Sequence, residues 1–230
     1  MKIVISIVSH NQKELVDRLL RSIDKYLSVF HNELIILITN NLPTADHFNC
    51  KYPILVTDNL DVKGFGANHN AAFERENPDL FLIVNPDIEL ISEFNLDNLV
   101  IDMLNKKISV TSPVIVNSYG ALEDYKRQNL TILTLIKRYF IKGYKESFDW
   151  YAGMFLIILG RSFRDLSGFD TRFFMYVEDC DLCMRARNLG QLVEDCVPVE
   201  IKHNAQRSSR KNFSVMVWHI TSLFKYLLKR

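Results

Sequence analysis

The sequence predicts an α/β domain built on a mostly parallel sheet with helices on both faces. Short apolar runs, rich in β-branched residues, alternate along the chain with segments of helical periodicity, which is the order of elements in such folds. The runs are apolar at nearly every position, as expected of strands that are buried on both faces. At 230 residues the chain fits one large domain, and no linker rich in Pro, Gly or Ser divides it.

The first half of the chain alternates regularly between strands and helices. We predict strands at 3–8, 33–39, 54–56 and 80–84, and helices at 14–27 and 64–75. In the first helix, Leu15, Leu19 and Ile23 recur at helical spacing. Polar turns such as Asn85-Pro86-Asp87 follow the strands, and ligands of parallel sheets bind beyond these carboxyl ends.

The second half is less regular. We predict helices at 96–105, 161–166 and 180–189, the last ended by Gly190, and strands at 114–116, 150–159, 192–193 and 197–201. Residues 119–147 are polar, aromatic and basic, with a candidate helix at 131–140. We interpret them as a variable insertion that contacts an acceptor.

Residues 213–228 predict an amphipathic helix, because apolar residues follow one another at steps of three and four, namely Phe213, Val217, Ile220, Phe224 and Leu227. We expect this stripe to pack on the domain. The alternative is contact with an anionic membrane, because Lys225, Lys229 and Arg230 stand at the end of the helix.

Composition excludes several classes of protein. A hydrophobic content of 48% supports a folded core, and a net charge of +1 argues against nucleic-acid binding, which needs a strong basic field. No apolar run reaches the roughly 18 residues of a spanning helix, and the first residues read as a strand rather than a signal peptide. We expect a cytoplasmic protein, free or peripherally bound to the inner face of the plasma membrane.

Two of the four cysteines, Cys180 and Cys183, form a C-x-x-C pattern. This spacing occurs in redox pairs and in zinc sites, but no second pair follows, and the surrounding residues are typical of a helix start. We favour an ordinary helix, and the low cysteine content indicates a reducing compartment.

The strongest local pattern is a buried apolar strand that ends in Asn85-Pro86-Asp87. Asp87 is expected at the ligand-binding edge of the sheet, where one carboxylate, phosphate oxygens and water commonly hold Mg²⁺ or Mn²⁺. A turn cap is the competing interpretation.

A second group of acids, Glu178, Asp179 and Asp181, directly follows an aromatic block. The helix dipole and capping favour acids at a helix start, so we expect one of the three to do only this. Aromatic residues beside carboxylates also form an apolar wall that raises a carboxyl pKa for general-base work.

Two weaker patterns remain. Gly64 and Gly66 permit a diphosphate to approach the start of a helix, although the glycine motif is incomplete, and His69 reads as a polar surface residue. His203 follows a strand, where it either completes a metal site or is structural. Basic residues follow it and either neutralise phosphates or anionic lipid or form a solvated face, namely Arg207, Arg210 and Lys211.

Together these segments resemble the family 2 glycosyltransferases, which have the GT-A fold. The resemblance covers nearly the whole chain and is strongest in four ordered motifs, Val8-Ser9-His10-Asn11, Gly64-Phe65-Gly66-Ala67-Asn68, Asn85-Pro86-Asp87, and a last one running from Trp150-Tyr151-Ala152-Gly153 through Gly168-Phe169-Asp170 to Glu178-Asp179-Cys180-Asp181-Leu182-Cys183. The last motif is the most specific. It looks most like bacterial rhamnosyltransferases that extend O-antigen and other surface polysaccharides from dTDP-rhamnose.

The resemblance implies a role for each matching residue. Asp179, supported by Glu178, is the expected base that deprotonates an acceptor hydroxyl for inverting attack on the anomeric carbon. Asp87, joined by His203, is expected to bind Mg²⁺ or Mn²⁺ on the donor diphosphate. The residues expected to contact the donor are Ser9, Asn11, Asn40, Gly64, Gly66, Asn68, Asn85 and Gly153.

The resemblance also implies partners and an internal division of one domain over 1–230. Residues 1–90 are the expected nucleotide-sugar half, 91–205 the acceptor and catalytic half, and 206–230 the C-terminal helix. The implied donor is dTDP-rhamnose, with UDP-linked galactofuranose, glucose or GlcNAc as alternatives, and the acceptor is a lipid-linked saccharide. The stretch Ile38-Thr39-Asn40-Asn41 lacks the acid that the family has there, so Asn40 is only a candidate for base and ribose recognition.

Two other classes of protein stay open. A nucleotidyltransferase requires a glycine-rich, basic loop after the first strand, where this chain has Ser9-His10-Asn11-Gln12. A non-catalytic sugar-nucleotide-binding subunit is disfavoured because Asp87 and Asp179 are both present.

Overall fold

A computed structural model describes residues 1–132, 134, 148–204 and 213–229 of the chain. Its strands are β1 (Lys2–Ser9), β2 (Leu27–Ser28), β3 (Glu33–Asn40), β4 (Ile54–Asp58), β5 (Leu80–Val84), β6 (Ile88–Leu90), β7 (Phe94–Asn95), β8 (Ile108–Thr111), β9 (Val114–Asn117), β10 (Lys126–Arg127), β11 (Trp150–Tyr151), β12 (Phe155–Leu159), β13 (Leu192–Val193) and β14 (Glu200–His203). Its helices are α1 (Lys13–Tyr26), α2 (Phe65–Glu76), α3 (Leu96–Asn105), α4 (Gly160–Asp165), α5 (Glu178–Asn188) and α6 (Phe213–Leu228).

A seven-stranded sheet forms the centre of the molecule, in the order β13-β8-β12-β5-β1-β3-β4. β12 runs antiparallel to both of its neighbours, and the other strands pair in parallel. The predicted α/β architecture with a mostly parallel sheet is confirmed. Ile7 pairs with Val84 across β1 and β5, and Ser9 pairs with Asn40 across β1 and β3. The turns that follow these three strands therefore meet at one edge of the sheet.

Most of the apolar runs form the interior, as their sequence predicts, whereas β4 at the edge of the sheet leaves Val56 exposed. Every residue of β5 is buried. Phe81 of β5 lies with its ring centroid 5.3 Å from those of Phe73 on α2 and Phe163 on α4. Helix α1, which follows β1, buries residues of its predicted stripe, including Leu19 and Ile23. The core thus holds the ends of the central strands rigidly in place.

A second, three-stranded sheet has the order β6-β14-β9. β14 runs antiparallel to β6 and places His203 opposite Ile88. Because Asp87 directly precedes Ile88, this pairing brings two distant parts of the sequence together. The predicted strand at 197–201 is wrong in its bounds, since β14 begins at Glu200. The sequence patterns do not predict β2, β6, β7, β8 or β10.

The single strand predicted at 150–159 is also wrong, because the chain leaves the extended form between Tyr151 and Phe155. β11 pairs with β10 in a separate small sheet, whereas β12 joins the central sheet. Gly153 lies in this interval, and its backbone N–H donates to the carboxylate of Asp179. The break in the strand therefore turns a backbone donor toward the start of α5.

The C-terminal helix α6 packs with a different side from the one that the sequence predicts. Ser222 is buried, and its Oγ donates to the carbonyl of Met175 at 2.9 Å. Three residues of the predicted apolar stripe face outward instead, with relative exposures of 42% at Val217, 47% at Ile220 and 62% at Phe224. The expectation that the stripe packs on the domain is wrong for these three residues, whereas Leu227 is half-buried.

Some predictions concern residues outside the described ranges. Most of the candidate helix at 131–140 and most of the insertion at 119–147 lie there, as do Arg207, Arg210 and Lys211. Within the residues that the structure describes, none of the helices combines the length and the apolar character needed to cross a membrane.

Candidate active site

A cavity of about 340 Å³ lies beyond the carboxyl ends of β1 and β5. Five of the predicted site residues line it, namely Asn85, Asp87, Gly153, Glu178 and Asp179. Its wall also contains Tyr176, from the aromatic block before the acids, and residues for which the sequence predicts no role in a site, namely His10, Gln12, Phe65, Arg127 and Met175. The fold therefore places the acid after β5 and the acids at the start of α5 on the wall of one cavity.

The carboxylate of Asp179 is held by two backbone donors. Its Oδ2 accepts the N–H of Gly153 and its Oδ1 accepts the N–H of Cys180, both at 2.8 Å. A Cβ at position 153 would lie 3.5 Å from Oδ2 of Asp179 and 3.4 Å from the ring of Phe65. Glycine thus leaves the space beside this carboxylate open to the cavity.

Glu178 is almost completely buried, and its Oε2 has no hydrogen-bond partner among the described residues. Burial, reinforced by the negative charge of Asp179, raises the pKa of Glu178 to about 8. Burial also raises the pKa of Asp179, but the Gly153 N–H and the charge of Arg127 oppose that rise. Burial thus favours the protonated form of both carboxyls, and the charge of Asp179 adds to this effect at Glu178.

We expect Glu178→Gln to remove a pH dependence of stability. The pKa of this carboxyl rises from an ordinary value of 4.5 to about 8 on folding. Between these values the folded chain keeps a proton that the unfolded chain releases, so wild-type stability falls as pH rises. Glutamine does not titrate, and the variant should gain roughly 1–3 kcal/mol over the wild type between about pH 5 and about pH 9. Urea denaturation at both pH values measures this, and parallel pH profiles for the two proteins would contradict it.

The backbone in front of α5 is strained. Tyr176 and Val177 have φ angles of 69° and 74°, a left-handed conformation that is a genuine outlier for a β-branched residue. Such residues persist only when the surroundings hold them, and they cluster at functional sites. Here the N–H of Phe65 donates to the carbonyl of Phe174, and Ser222 donates to Met175. Helices α2 and α6 therefore clamp the segment that directs Glu178 and Asp179 toward the cavity.

Asp87 and His203 lie together at the edge of the cavity. Nε2 of His203 is 3.2 Å from Oδ2 of Asp87, and its Nδ1 is 3.7 Å from Oε1 of Glu123. Burial disfavours the charged imidazole, but the hydrogen bond to Asp87 and the charges of both acids outweigh it and raise the pKa of His203.

The donor set at Asp87 fits a divalent cation that is held jointly with a ligand. Oδ1 of Asp87 is buried and has no hydrogen-bond partner in the described structure, which leaves a hard oxygen donor free. Among the described residues, no group of three or more His, Cys, Asp or Glu side chains is placed to hold a metal ion alone. Magnesium-like ions are commonly bound by one or two carboxylates together with substrate phosphates.

Gly64 and Gly66 serve close packing in this structure. A Cβ at position 64 would lie 2.5 Å from the carbonyl oxygen of Phe174, and one at position 66 would lie 2.6 Å from the Cβ of Phe169. The space next to these glycines is therefore filled by the segment before α5. Phe65, between them, is the residue that lines the cavity.

Asn68 belongs to a buried network of side-chain amides. Asn59 donates to Oδ1 of Asn41 at 2.9 Å and to Oδ1 of Asn68 at 2.6 Å. Asn41 in turn donates to the carbonyl of Lys63 at 2.8 Å. The network fixes the loop between β4 and α2, and Asn68 lies behind the cavity rather than on its wall.

The other predicted donor contacts lie at the ends of β1 and β3. Asn40 is buried, its Nδ2 donates to Asp58 at 2.7 Å, and its Oδ1 has no partner in the described structure. Ser9 accepts the N–H of Gln12, and Asn11 has a positive φ of 57° in the same turn. These residues shape the edge beside the cavity without lining it.

His69 is not the surface residue that the sequence indicates. It is buried, and its Nδ1 lies 2.8 Å from the Oγ of Ser6. Its ring also packs 4.5 Å from that of Phe65, centroid to centroid. The histidine therefore supports the cavity wall from behind.

The chain has the GT-A fold of the solved glycosyltransferases on which it superposes. A mannosyltransferase, PcManGT from Pyrobaculum calidifontis, solved with GDP-Man and Mn²⁺, superposes with a TM-score of 0.67 at 12% identity, covering 99% of this chain and 64% of that chain. Residues 1–349 of TarS from S. aureus, in complex with UDP-GlcNAc, superpose with a TM-score of 0.64 at 15% identity, covering 90% of this chain and 60% of that one. This chain thus spans less than two thirds of each solved chain.

Sequence comparison places the chain more narrowly. No family model matches it. The rhamnosyltransferase WbbL of Escherichia coli (strain K12) is 28% identical over 241 aligned positions, which cover 87% of this chain and 90% of that protein. An N-acetylglucosaminyl-diphospho-decaprenol L-rhamnosyltransferase of Mycobacterium tuberculosis is 33% identical over 82 residues, 35% of this chain and 27% of that protein. The chain is thus similar in sequence to rhamnosyltransferases, to one of them along most of its length.

Proposed function

We propose that the protein is an inverting, metal-assisted rhamnosyltransferase that moves rhamnose from dTDP-rhamnose to a saccharide acceptor. The observation that carries the proposal is the carboxylate of Asp179, which two backbone N–H groups hold at the wall of a cavity that Asp87 also lines. A base and an anchor for the leaving diphosphate thus face the same space. The likeness to WbbL along 87% of this chain supports rhamnose as the sugar.

Asp179 is the proposed base. Its carboxylate takes the proton of an acceptor hydroxyl, whose oxygen then forms a bond to the anomeric carbon. The bond from that carbon to the diphosphate breaks on the opposite side, and the leaving diphosphate keeps the electron pair, which inverts the anomeric centre. Glu178, neutral near pH 7, is placed to donate a hydrogen bond to the acceptor through the carboxyl group whose Oε2 has no partner in the described structure.

The leaving group carries negative charge that the site must accommodate. A bound divalent cation neutralises charge on a leaving diphosphate, and Asp87 and His203 are the residues that would hold it, as Mg²⁺ or Mn²⁺. The Mn²⁺ in the mannosyltransferase complex with 99% coverage of this chain supports this assignment. Asn85, on the cavity wall, and Ser9, Asn11 and Asn40, beside it, are the proposed donor-side residues.

The proposed acceptor is a lipid-linked saccharide of a bacterial surface polysaccharide such as O-antigen. The partial relative from M. tuberculosis is named for transfer to a diphospho-decaprenol-linked sugar, which supports an acceptor of this chemical class. We place the enzyme on the cytoplasmic side of the membrane, where it works peripherally.

Donor selectivity tests the proposal. We expect calorimetry with Mn²⁺ to detect binding of dTDP-rhamnose and a loss of that binding when EDTA replaces the ion. UDP-GlcNAc, UDP-galactofuranose, UDP-glucose and GDP-mannose serve as matched alternatives. Selective binding of a UDP-sugar would overturn the rhamnose assignment but keep the mechanism. Absence of binding to every donor would overturn the proposed function itself.

A further inference from the structure

The outward face of α6 is apolar, the reverse of an ordinary surface helix. Ser222 lies on its packed face, whereas Phe224 is 62% exposed and Leu228 is 82% exposed. Val217 and Ile220 continue this exposed row at steps of three and four residues. The row faces outward because the opposite side of α6 packs on the domain. There the Oγ of Ser222 donates to the carbonyl of Met175, and the ring of Trp218 lies 4.8 Å from that of Phe174, centroid to centroid.

A basic groove lies beside this row. The cavity between the end of α6 and the segment before α5 has a volume of about 390 Å³, and Arg172, Lys225, Leu228 and Lys229 are among its lining residues. Nζ of Lys229 is bonded to the carboxylates of Asp170 and Asp181, and Arg172 is also paired with Asp170. Nζ of Lys225 instead donates to the carbonyl of Arg172. Among the described residues no carboxylate pairs with this ammonium, which has two further N–H donors.

The basic residues of the chain are also concentrated near its C-terminal helix. Residues 202–230 contain seven Lys and Arg and no Asp or Glu, while the other 201 residues contain 21 basic and 27 acidic residues. The C-terminal segment is therefore strongly positive on a protein whose remainder is net negative. An exposed apolar row with basic residues beside it complements an anionic lipid surface, because the acyl region accepts the apolar side chains and the phosphates attract the cations.

We infer that α6 docks the protein on an anionic membrane, with its apolar row in the lipid and a lipid headgroup phosphate in the groove at Lys225. Helix α6 also contacts the strained segment that leads to Glu178, so docking brings Met175 and Tyr176, which line the cavity, close to the lipid surface. The inference rests on the proposed function only for its purpose, because a lipid-linked acceptor would lie in the membrane on which α6 docks. Lipid binding itself requires neither donor nor acceptor.

Vesicle flotation tests this inference without a catalytic readout. We expect the full chain to bind vesicles of phosphatidylcholine with phosphatidylglycerol, to bind phosphatidylcholine alone at least about tenfold more weakly, and to be released by high salt. Phe224→Ser should weaken binding at least about tenfold, since it removes the largest side chain of the row. Phe30→Ser, at an exposed phenylalanine on the loop between β2 and β3, is the matched control and should leave binding unchanged.

Reversing one charge at a time distinguishes phosphate binding in the groove from attraction of the membrane to the net charge of the protein. Lys225→Glu should weaken binding to the anionic vesicles about tenfold or more, whereas Arg21→Glu on α1, with the same change of net charge, should alter it less than about twofold. Equal effects of the two charge reversals on vesicle binding would overturn the assignment of a phosphate site to the groove. Failure of the wild type to bind anionic vesicles would overturn the inference, and so would a dimer that Phe224→Ser converts to a monomer, because a second copy would then cover the row.

Donor calorimetry on the same variants distinguishes the two proposals. Phe224→Ser should bind dTDP-rhamnose with Mn²⁺ as tightly as the wild type does. Vesicle binding without any donor binding would remove the proposed function and leave the membrane surface in place.

Discussion

Asp179→Asn is expected to lower kcat by about 10²- to 10⁴-fold, the usual contribution of a general base. The amide has the shape of the carboxylate but cannot take a proton from the acceptor hydroxyl. Its oxygen can still accept one of the two backbone N–H groups that hold Asp179, so the site keeps most of its form. Donor affinity should therefore stay within about threefold of the wild type, measured by calorimetry beside steady-state transfer rates.

Asp181 is the matched control for Asp179, on the same turn of α5. Asp181 is buried, but it is engaged in ion pairs, with Nε of Arg185 at 2.7 Å and Nζ of Lys229 at 2.6 Å. Asp181→Asn should cost about 1–2 kcal/mol of stability, because both cations keep partial access to water, and should change kcat less than about threefold. A large loss of turnover in Asp181→Asn, or a small one in Asp179→Asn, would contradict the assignment of the base.

Asp87→Asn is expected to abolish the effect of Mn²⁺ on donor binding. Oδ1 of Asp87 is a buried carboxylate oxygen without a partner in the described structure, and an amide is a far poorer ligand for a hard cation. Donor affinity in the presence of Mn²⁺ should fall about 10- to 100-fold, to the value that the wild type shows with EDTA. Calorimetric titrations with the ion and with EDTA should then coincide for the variant.

Glu89 provides the control for Asp87, two residues further along the chain. Its Oε2 accepts Nζ of Lys202 at 2.9 Å and Nδ2 of Asn204 at 3.1 Å, so its charge is already matched within β6 and β14. Glu89→Gln should leave the Mn²⁺ dependence of donor binding intact. If Asp87→Asn binds the donor with Mn²⁺ as the wild type does, the metal role of Asp87 is wrong.

The sequence predicts the central strands well because their composition is unambiguous. β5 is apolar at every position, and between Ile3 and Val8 only Ser6 interrupts β1, which only strands buried on both faces tolerate. β8 escaped prediction because Ser109 and Thr111, both buried, interrupt its apolar character. The single strand predicted at 150–159 is divided because Gly153 turns its N–H toward Asp179, a contact between residues that local patterns do not connect.

The acids of the site can be predicted from the sequence because each one contrasts with the residues around it. Asp87 stops an apolar strand, and Glu178 and Asp179 follow an aromatic block, so each stands out against its surroundings. Arg127 does not, because it lies in a two-residue strand within a polar stretch and reaches the cavity only through pairing with Trp150. The packing of Gly64 against Phe174 likewise depends on chain segments that meet only in the folded protein.

The position of β5 between β1 and β12 means that the newly made chain passes through a vulnerable stage on the ribosome. β1, β3 and β5 are complete before Phe155–Leu159 has been translated, yet β12 is the strand that covers the second edge of β5. Until then, a row of unpaired backbone groups borders five apolar side chains, which is a template for association with other chains. Protection by a chaperone during this interval would matter more for such a protein than for one whose strands pair in the order of their synthesis.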